Sequence, residues 1–569
     1  MPRTRRVLLS AVTAVTTVAA TAAGITVAEA DAQPLVAGPA AAAALAANQP
    51  SHDSTADHSW NSADVHAVTL TGSGASTTAP GVTVSGSTVT VTQAGTYRFS
   101  GTLTDGQIAV NSTGTGIVRL ILNGVTVTNN TNAAVNVIAA DEVMVVVADG
   151  TTNTLTDATT YTPVADDPNA ALFSAADLTI TGGGTLTVNG RFNDGIAGKD
   201  GLVIDSARIT VTARDDGIRG QDYVIVNSGT LSVTATGDGI KSDNDEDATR
   251  GYVSLVAGTV GVTATGDGVT ATTDVIKSGG TLSVKSGGGS TVQPPADGSA
   301  KGLKAGVLLI LSDGQSTVDS SDDGVHSDAA IVVEGGTTTV ATADDGVHAE
   351  STLDVRAGTV NVTKSYEGFE GLKVTFSGGS ASAVASDDAV NAAEEGVPEM
   401  QVAPNAFIRV TGGTVVADGG TDGLDSNGTL QLTGGTVVVA GSGTRGGGEG
   451  GLDSNGALTI TGGVVYSTGI SASTSTLPAS GQGWLRVTFA ANQPAGTIVH
   501  LATTSGTQIA AYRSTKAFRQ VVFSSTQITR GTSYDVYTGG SVSGTAVGGN
   551  MYTGGTLSGT RVSTVVAGR

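Results

Sequence analysis

The sequence predicts an all-β chain that forms a right-handed parallel β-helix of about 22-residue coils, followed by a C-terminal β module. The composition is the first indication, since 82 of 569 residues are glycine, 4% are aromatic and only 13 are proline. Such a mixture is typical of many short strands joined by tight turns. The second indication is an Asp-Gly motif that returns 22 residues later at Gly195, Gly217 and Gly239. The third is the alternation of apolar and polar residues between these motifs, as in TLSVTATG (230–237).

A fixed period identifies a repeat architecture. A coil of ~22 residues at ~3.3 Å per residue closes a loop of roughly 70 Å, and neighbouring coils would stack ~4.8 Å apart. Crossover handedness favours a right-handed path. Longer steps between motifs contain polar or Gly/Pro-rich inserts such as SDNDEDATRG (242–251) and GGGSTVQPPADG (287–298). Antiparallel sandwiches are disfavoured because they do not require self-similarity at this interval.

The N-terminus departs from the β pattern. Arg3, Arg5 and Arg6 precede an apolar run over residues 7–27, and Ala28-Glu29-Ala30 follows it. This order is typical of an export signal cleaved near Ala30, by the Sec or the twin-arginine route, and predicts a secreted, extracellular protein. Residues 31–64 are interpreted as a flexible linker.

The remaining chain divides into two predicted parts. Residues 65–475 would form the β-helix, with less regular entry coils before residue 175. Residues 476–569 contain WLRVTFA, AYRSTKAFRQVVFSS and two copies of YTGG, which predict a C-terminal β module or cap.

Charge and composition exclude several classes of partner. The formal charge of −22 argues against nucleic acid and against an anionic membrane surface. No second long apolar run predicts a membrane span, and without cysteine there are no disulfides. An acidic surface does attract cations.

Residues one period apart would lie above one another and form columns. The residue after each motif glycine is apolar, as at Ile196, Ile218 and Ile240, which predicts a core column. The residue before the glycine is usually acidic. We expect the glycine to break the strand alternation through a positive φ or a bulge and to turn these carboxylates outward.

Stacked carboxylates repel by roughly 0.8 kcal/mol per pair at ~5 Å in water, so some other interaction must offset the repulsion in this column. One candidate is Asp-Gly turn chemistry. The other is calcium, which takes six to eight oxygen ligands. The predicted Ca²⁺ ligands are Asp215, Asp216, Asp238, Asp243, Asp245, Asp247, Asp267, Asp322, Asp323, Asp344, Asp345, Glu367 and Asp388.

The acidic run in the first insert begins like an EF-hand loop, with Asp243, Asp245 and Asp247 at alternate positions. The match ends there, because Ala248 and Ser254 occupy the positions that need glycine and glutamate. A calcium-stiffened insert and a solvated acidic loop both remain open.

A second column lies two residues after the glycine and contains Arg219, Lys241, Lys304, His326 and His348. These are the candidate ligand-binding residues, since a basic patch beside calcium could receive a uronic-acid polysaccharide. The alternative is a ladder of salt bridges to the acidic column. The two histidines alone are weak evidence for Zn²⁺.

Catalytic motifs are not evident. There is no Ser-His-Asp order, no cysteine nucleophile and no P-loop. Acid pairs are too numerous for spacing to select a glycosidase pair. A polysaccharide lyase would need a cation and a basic residue, for which Lys199, Lys241, Lys301 and Lys304 are the candidates.

Several motifs resemble a bacterial family of secreted carbohydrate-binding parallel β-helix domains. They are GTYRFSGTLTDGQIAV (95–110), LILNGVTVT (120–128), PNAALFSAADLTITGGGTLTV (168–188), NDGIAGKDGLVI (193–204), DDGIRGQD (215–222), GDGIKSDNDEDATRGYV (237–253), SYEGFEGLKV (365–374), SDDAVNAAEE (386–395) and DGLDSNG (422–428). The resemblance implies calcium-dependent binding of cellulose-like and pectic polymers, and a relation to pectate-lyase solenoids.

The leading hypothesis is therefore a secreted protein that binds plant cell-wall polysaccharide with Ca²⁺ and has no catalytic residues. Only two tryptophans are present, so a flat stacking platform for crystalline sugar is not evident. The alternatives are a calcium-dependent pectate lyase and a structural or adhesive solenoid that binds no glycan.

Overall fold

Strands account for nearly all regular structure in the chain. The computed structural model describes residues 40–162, 167–444, 450–470 and 477–568. Within these ranges the helical elements are α1 (Ala40–Ala47) and one 3₁₀ turn (Ser62–Asp64). The prediction of an all-β chain is confirmed. The predicted export signal and residues 31–39 lie outside the described ranges.

In the described ranges, thirteen strands come before the first strand of the Asp-Gly repeats. They are β1 (Val65–Gly72), β2 (Ala75–Thr77), β3 (Val82–Ser85), β4 (Thr88–Val91), β5 (Gly95–Leu103), β6 (Gln107–Asn111), β7 (Ile117–Thr128), β8 (Val135–Ala139), β9 (Glu142–Val147), β10 (Thr152–Thr156), β11 (Ala170–Ser174), β12 (Asp177–Thr181) and β13 (Thr185–Gly190).

The repeats contain short strands of regular spacing. They are β14 (Asp194–Gly198), β15 (Gly201–Ile204), β16 (Arg208–Ala213), β17 (Ile218–Gly220), β18 (Tyr223–Val226), β19 (Thr230–Ala235), β20 (Ile240–Ser242), β21 (Tyr252–Leu255), β22 (Thr259–Ala264), β23 (Val269–Ala271), β24 (Asp274–Lys277), β25 (Thr281–Ser286), β26 (Leu303–Ala305), β27 (Leu308–Leu311), β28 (Gln315–Ser320), β29 (Val325–Ser327), β30 (Ala330–Thr342), β31 (Val347–Ser365), β32 (Phe369–Phe376), β33 (Ser380–Ala385), β34 (Val390–Ala392), β35 (Phe407–Val410), β36 (Thr414–Asp418), β37 (Leu424–Ser426), β38 (Thr429–Leu432), β39 (Thr436–Ala440), β40 (Leu452–Ser454), β41 (Leu458–Ile460) and β42 (Val464–Gly469).

The last strands are antiparallel. They are β43 (Trp484–Gln493), β44 (Ile498–Thr503), β45 (Gln508–Arg513), β46 (Phe518–Ser524), β47 (Ser533–Thr538), β48 (Thr545–Gly548), β49 (Met551–Thr553) and β50 (Thr560–Val566). Strands β42 and β43 both pair with β46, whereas β44, β45 and β47–β50 form a separate six-stranded sheet. The predicted domain boundary at residue 476 lies outside the described ranges.

Strands of successive repeats pair in parallel and form three ladders. The first, which we call the Asp-Gly ladder, joins β14, β17, β20, β23, β26, β29 and β31. The second joins β15, β18, β21, β24 and β27, and the third joins β16, β19, β22, β25 and β28. The large sheet is mixed, because β1–β2 and β3–β4 are antiparallel.

Register follows the predicted period. Ile196 lies opposite Ile218, Ile218 opposite Ile240, and Ile240 opposite Val269. Each of these side chains is fully buried in one continuous core. Burying an aliphatic side chain of this size contributes roughly 1.5–3 kcal/mol, so the apolar column stabilises every repeat.

The glycines of the Asp-Gly motif do not have the positive φ that the sequence suggested. Positive φ occurs instead at a second glycine column, with φ between 66° and 100°. It precedes β19, β22, β25, β28 and β33 and lies within β30 and β31, at Gly229, Gly258, Gly280, Gly314, Gly379, Gly336 and Gly358. Glycine is required at the motif positions because neighbouring atoms leave no room for a side chain. At Gly217, for example, a Cβ would lie 2.2 Å from Val233 Cγ1 and 2.6 Å from the carbonyl oxygen of Gly239.

The segment before β1 lies against the ladders, which the interpretation of 31–64 as a flexible linker did not anticipate. Glu334 accepts the amide N–H of Ala41 in α1, at 3.0 Å. Asn48 donates to Asp274 at 3.1 Å, and the hydroxyl of Tyr252 donates to a main-chain carbonyl of this segment. No helix in the described ranges has both the length and the apolar character needed to cross a membrane.

Candidate functional site

The predicted ligand-binding residues form one column on the Asp-Gly ladder. Strand pairing places Arg219 opposite Lys241, and Lys304 opposite His326, which lies opposite His348. Thr270 occupies the position between Lys241 and Lys304. The column that the sequence predicted therefore exists in space, with its members on successive strands.

The acidic column next to it is not turned outward. Asp194, Asp267 and Asp323 are 1%, 4% and 3% exposed. Each carboxylate in a series accepts the backbone N–H of the equivalent residue in the next repeat, at 2.7–3.2 Å. The acceptors are Asp194, Asp216, Asp238, Asp267, Asp323, Asp345 and Asp388. The expectation of outward carboxylates is wrong because backbone donors of the next strand satisfy these oxygens inside the ladder.

Burial changes the ionisation of this column. Burial, followed by the negative charge of Asp216, raises the pKa of Asp194 to about 7. Burial and the charges of Asp425 and Asp422 raise the pKa of Asp388 to about 9. Asp194 and Asp388 therefore favour the protonated form, whereas hydrogen bonds from His326 and His348 and the charge of Lys301 lower the pKa of Asp323 despite its burial.

Basic side chains of the second column compensate part of this charge. Lys241 Nζ lies 2.9 Å from Asp238 and 3.2 Å from Asp216. Lys304 Nζ lies 3.8 Å from Asp267, a looser pair. The salt-bridge ladder that the sequence offered as an alternative is therefore present at these two lysines.

Arg219 instead contacts the acidic insert, at 2.7 Å from Asp243. Asp245 is exposed, and Asp247 accepts the N–H and the hydroxyl of Thr249 at 2.9 and 2.8 Å. These local hydrogen bonds lower the pKa of Asp247. The insert is thus held by its own backbone and by Arg219.

A lysine is ion-paired with two more of the predicted metal ligands. Lys301 Nζ lies 2.9 Å from Asp322 Oδ1 and 2.7 Å from Asp323 Oδ2. Asp344 lies beside this pair, and burial together with the charges of Asp323 and Asp322 raises its pKa to about 6. An ammonium group therefore already occupies the position where a cation would balance these carboxylates.

The remaining predicted ligands are placed differently. Asp215 is exposed, and burial followed by Glu367 raises the pKa of Asp345 well above the usual range. Glu367 is buried and donates its backbone N–H to Asp345. These residues lie along one ladder but do not converge on one point.

An oxygen-rich cluster near the end of the ladder was only partly predicted. Asn391 lies opposite Asp425, and Asp388 lies close enough for its pKa to respond to Asp425. Burial, followed by the charges of Asp453 and Glu399, raises the pKa of Asp425 to about 7. Asn391 is 9% exposed, and its Oδ1 accepts no hydrogen bond from the described residues. The sequence signal was the continuation of the second column from His348 through Glu370 to Asn391 and Asp425.

Two depressions open on the Asp-Gly ladder. One, of about 240 Å³, is lined by Lys199, Arg219 and Phe173 among others. The other, of about 480 Å³, is lined by Lys241, Lys304 and several carboxylates. Three of the five predicted ligand-binding residues therefore line concave surface, where a chain-like ligand can contact several repeats.

Comparisons with known proteins concern the same region. Residues 85–346 match the family model of carbohydrate-binding domain-containing proteins. A carbohydrate-binding domain-containing protein of Acetivibrio thermocellus is 43% identical over 126 residues, which are 22% of this chain and 44% of that protein. The alignment thus spans less than half of that relative's length.

A solved structure is also similar in sequence. It is the gadolinium derivative of a polysaccharide lyase-like protein from C. thermocellum, with 34% identity, a TM-score of 0.39, and coverage of 43% of this chain and 95% of that chain. The residues that line both depressions fall within 167–328, inside the range 85–346 that matches the family model. The part of this chain that matches the family of carbohydrate-binding domain-containing proteins is therefore the part that contains the concave, lysine-lined surface.

Proposed function

We propose that this chain is an exported protein that binds an acidic plant cell-wall polysaccharide, with Ca²⁺ required for binding. The observation that carries the proposal is the position of Arg219, Lys241 and Lys304 at the two depressions, inside the range that matches carbohydrate-binding domains. We further propose that the three ladders wind as a right-handed parallel β-helix, which would present these depressions along one face.

The chemistry favours an acidic polymer. Lysine and arginine donate charge-assisted hydrogen bonds to carboxylates, and those of uronic acids would suit Lys304 because its own pair with Asp267 is loose. Carboxylates also line the larger depression, so a bound polyanion needs a cation to reduce repulsion. Calcium binding is thus a physical requirement of the proposal.

The oxygen cluster of Asp388, Asn391 and Asp425 fits calcium by donor type. Carboxylate and amide oxygens are the ligands that Ca²⁺ prefers. The free Oδ1 of buried Asn391 is a polar atom that a cation would satisfy. Among the described residues, no basic side chain is ion-paired with Asp388 or Asp425. These residues would hold the ion and so neutralise the end of the acidic column.

Replacing Lys304 by glutamine is expected to weaken binding of polygalacturonate about tenfold, since one charge-assisted contact is worth roughly 1.5 kcal/mol or more. The matched control is Lys285→Gln. Lys285 lies on the third ladder and makes an equally loose pair, 3.9 Å from Asp319. Affinity electrophoresis with polygalacturonate and with cellulose, each with calcium and with chelator, measures the effect.

Equal losses for the two variants, or binding that is unchanged by chelator, would contradict the proposal. Release of unsaturated uronate from the polymer during the same incubation would instead indicate a lyase.

Calcium is expected to raise the melting temperature of the wild-type chain, because a ligand at 100 times its Kd stabilises the folded state by about 2.7 kcal/mol. In Asp388→Asn most of this increase should disappear, because the variant cannot offer the carboxylate that forms when Ca²⁺ displaces the proton of Asp388. Asp215→Asn, which removes an exposed carboxylate, serves as the control and should respond to calcium as the wild type does. A calcium response that is identical in all three proteins would exclude this cluster as the binding site.

A further inference from the structure

Two histidines and one aspartate from neighbouring repeats converge beside the larger depression. His326 Nδ1 lies 2.9 Å from Asp323 Oδ2, and His348 Nδ1 lies 3.5 Å from the same oxygen. The two imidazole rings lie edge to face, with centroids 5.0 Å apart. Strand pairing places His326 directly opposite His348, so the arrangement is set by the ladder and not by a mobile loop.

Both ring nitrogens of His326 face carboxylates. The residue is 5% exposed, its Nδ1 lies 2.9 Å from Asp323 Oδ2, and despite this burial its contacts with Asp323 and Asp328 raise its pKa. Its other nitrogen, Nε2, lies 2.9 Å from Asp328 Oδ1. In a neutral imidazole one nitrogen donates and the other carries a lone pair. A metal ion that replaces the proton between Nδ1 and Asp323 would accept this lone pair, while Nε2 donates to Asp328.

This is the environment in which a histidine usually binds a metal. Metal-bound histidines commonly donate their second N–H to a carboxylate, which fixes the tautomer and the ring orientation. Ligand atoms ~2.0–2.1 Å from a tetrahedral ion are separated by roughly 3.3 Å. The observed separations of 2.9 and 3.5 Å lie on either side of that value.

We propose that Asp323, His326 and His348 form a site for a divalent transition cation of the zinc class, distinct from the calcium cluster at Asp388. Two imidazole nitrogens and one carboxylate suit Zn²⁺ or Co²⁺, whereas Ca²⁺ prefers oxygen ligands alone. Three protein ligands leave a fourth position for water or a ligand. Asp328, which contacts the second nitrogen of His326, lines the 480 Å³ depression, so the site lies one residue away from the surface proposed for polysaccharide.

Several charged groups face this site, and among them Asp345 Oδ2 lies 3.8 Å from His348 Nδ1. Lys301 lies 2.7 Å from Asp323 Oδ2 but also 2.9 Å from Asp322, which can retain the ammonium when Asp323 binds a metal. Glu370 Oε2 lies 3.7 Å from His348 Nε2 and has no hydrogen-bond partner among the described residues. Glu350 Oε1 lies at the same 3.7 Å from His348 Nε2, so two carboxylates face this nitrogen, both farther away than Asp328 is from His326.

The test is titration of the metal-free full chain with Zn²⁺ by calorimetry. The wild type should bind one ion at this site, and His326→Gln and His348→Gln should each bind it at least tenfold more weakly. His66→Gln is the matched control, because His66 belongs to none of the groups of histidine and acidic side chains that could hold a metal ion in the described residues, and it should leave binding unchanged. Circular dichroism without metal verifies that each variant is folded.

A second measurement needs no variant. Addition of Co²⁺ to the wild type should produce paramagnetically shifted proton resonances from two coordinating imidazoles. The proposal is overturned if the wild type shows no saturable Zn²⁺ binding, if His66→Gln loses as much binding as the two site variants, or if Co²⁺ shifts no histidine resonance.

Discussion

Replacing Lys301 by methionine is expected to lower the free energy of unfolding by about 3–5 kcal/mol, which is the usual cost of removing one partner of a buried ion pair. The Lys301 side chain is 15% exposed, and those of Asp322 and Asp323 are 13% and 4% exposed. Despite its burial, the charges of Asp323 and Asp322 raise the pKa of Lys301. The methionine variant would leave two carboxylates in the ladder without their ammonium.

The measurement is the urea concentration at the midpoint of unfolding. Lys285→Met provides a matched comparison, since Lys285 is 53% exposed and lies 3.9 Å from Asp319. Its change should stay within about 0.5 kcal/mol, as for most exposed pairs. If Lys301→Met unfolds at the same urea concentration as the wild type, then the ammonium does not compensate the acidic column.

Replacing Gly217 by alanine is expected to destabilise the chain by about 3 kcal/mol, at the upper end of the usual cost of overpacking. The added Cβ would meet Val233 Cγ1 and the carbonyl oxygen of Gly239, and the latter belongs to the backbone of the next repeat and cannot move freely. The expected destabilisation comes from steric overlap alone, because Gly217 does not have a positive φ that alanine would disfavour.

Gly261 offers the control for this change. It lies within β22, and a Cβ there would meet only the carbonyl oxygen of Leu231, at an ordinary 3.8 Å. Gly261→Ala should therefore be neutral or stabilise by about 0.4–1 kcal/mol, because alanine restricts the unfolded chain. Equal thermal stability of the two alanine variants would show that the motif glycine is not required by close packing.

Much of the candidate site was predictable from self-similarity. The 22-residue step places Arg219 beside Lys241 and Lys304 beside His326, and strand pairing in the structure confirms these neighbours. The prediction succeeded because each short strand pairs with its counterpart in the next repeat, so distance in space follows directly from distance in sequence. Insertions lengthen a turn without changing the pairing, as at residues 242–251, where Ile240 still lies opposite Val269.

The contacts between columns were less predictable. Whether a carboxylate such as Asp216 points to solvent or accepts the backbone N–H of Asp238 depends on the backbone conformation, which an Asp-Gly pair does not specify. The contact of Arg219 with Asp243 depends on how an insert folds back. The contact between Asn48 and Asp274 joins residues that share no repeat.

By itself, the sequence determined the all-β class, the period, the core column and the neighbours within each column, because these follow from composition and from spacing along the chain. Only the tertiary structure decided which charges are buried, which are paired, and that Asp323, His326 and His348 meet near one oxygen. The physical reason is that pairing between columns depends on side-chain direction and on the backbone donors of the adjacent repeat. Those are set by packing in three dimensions and leave no periodic trace in the sequence.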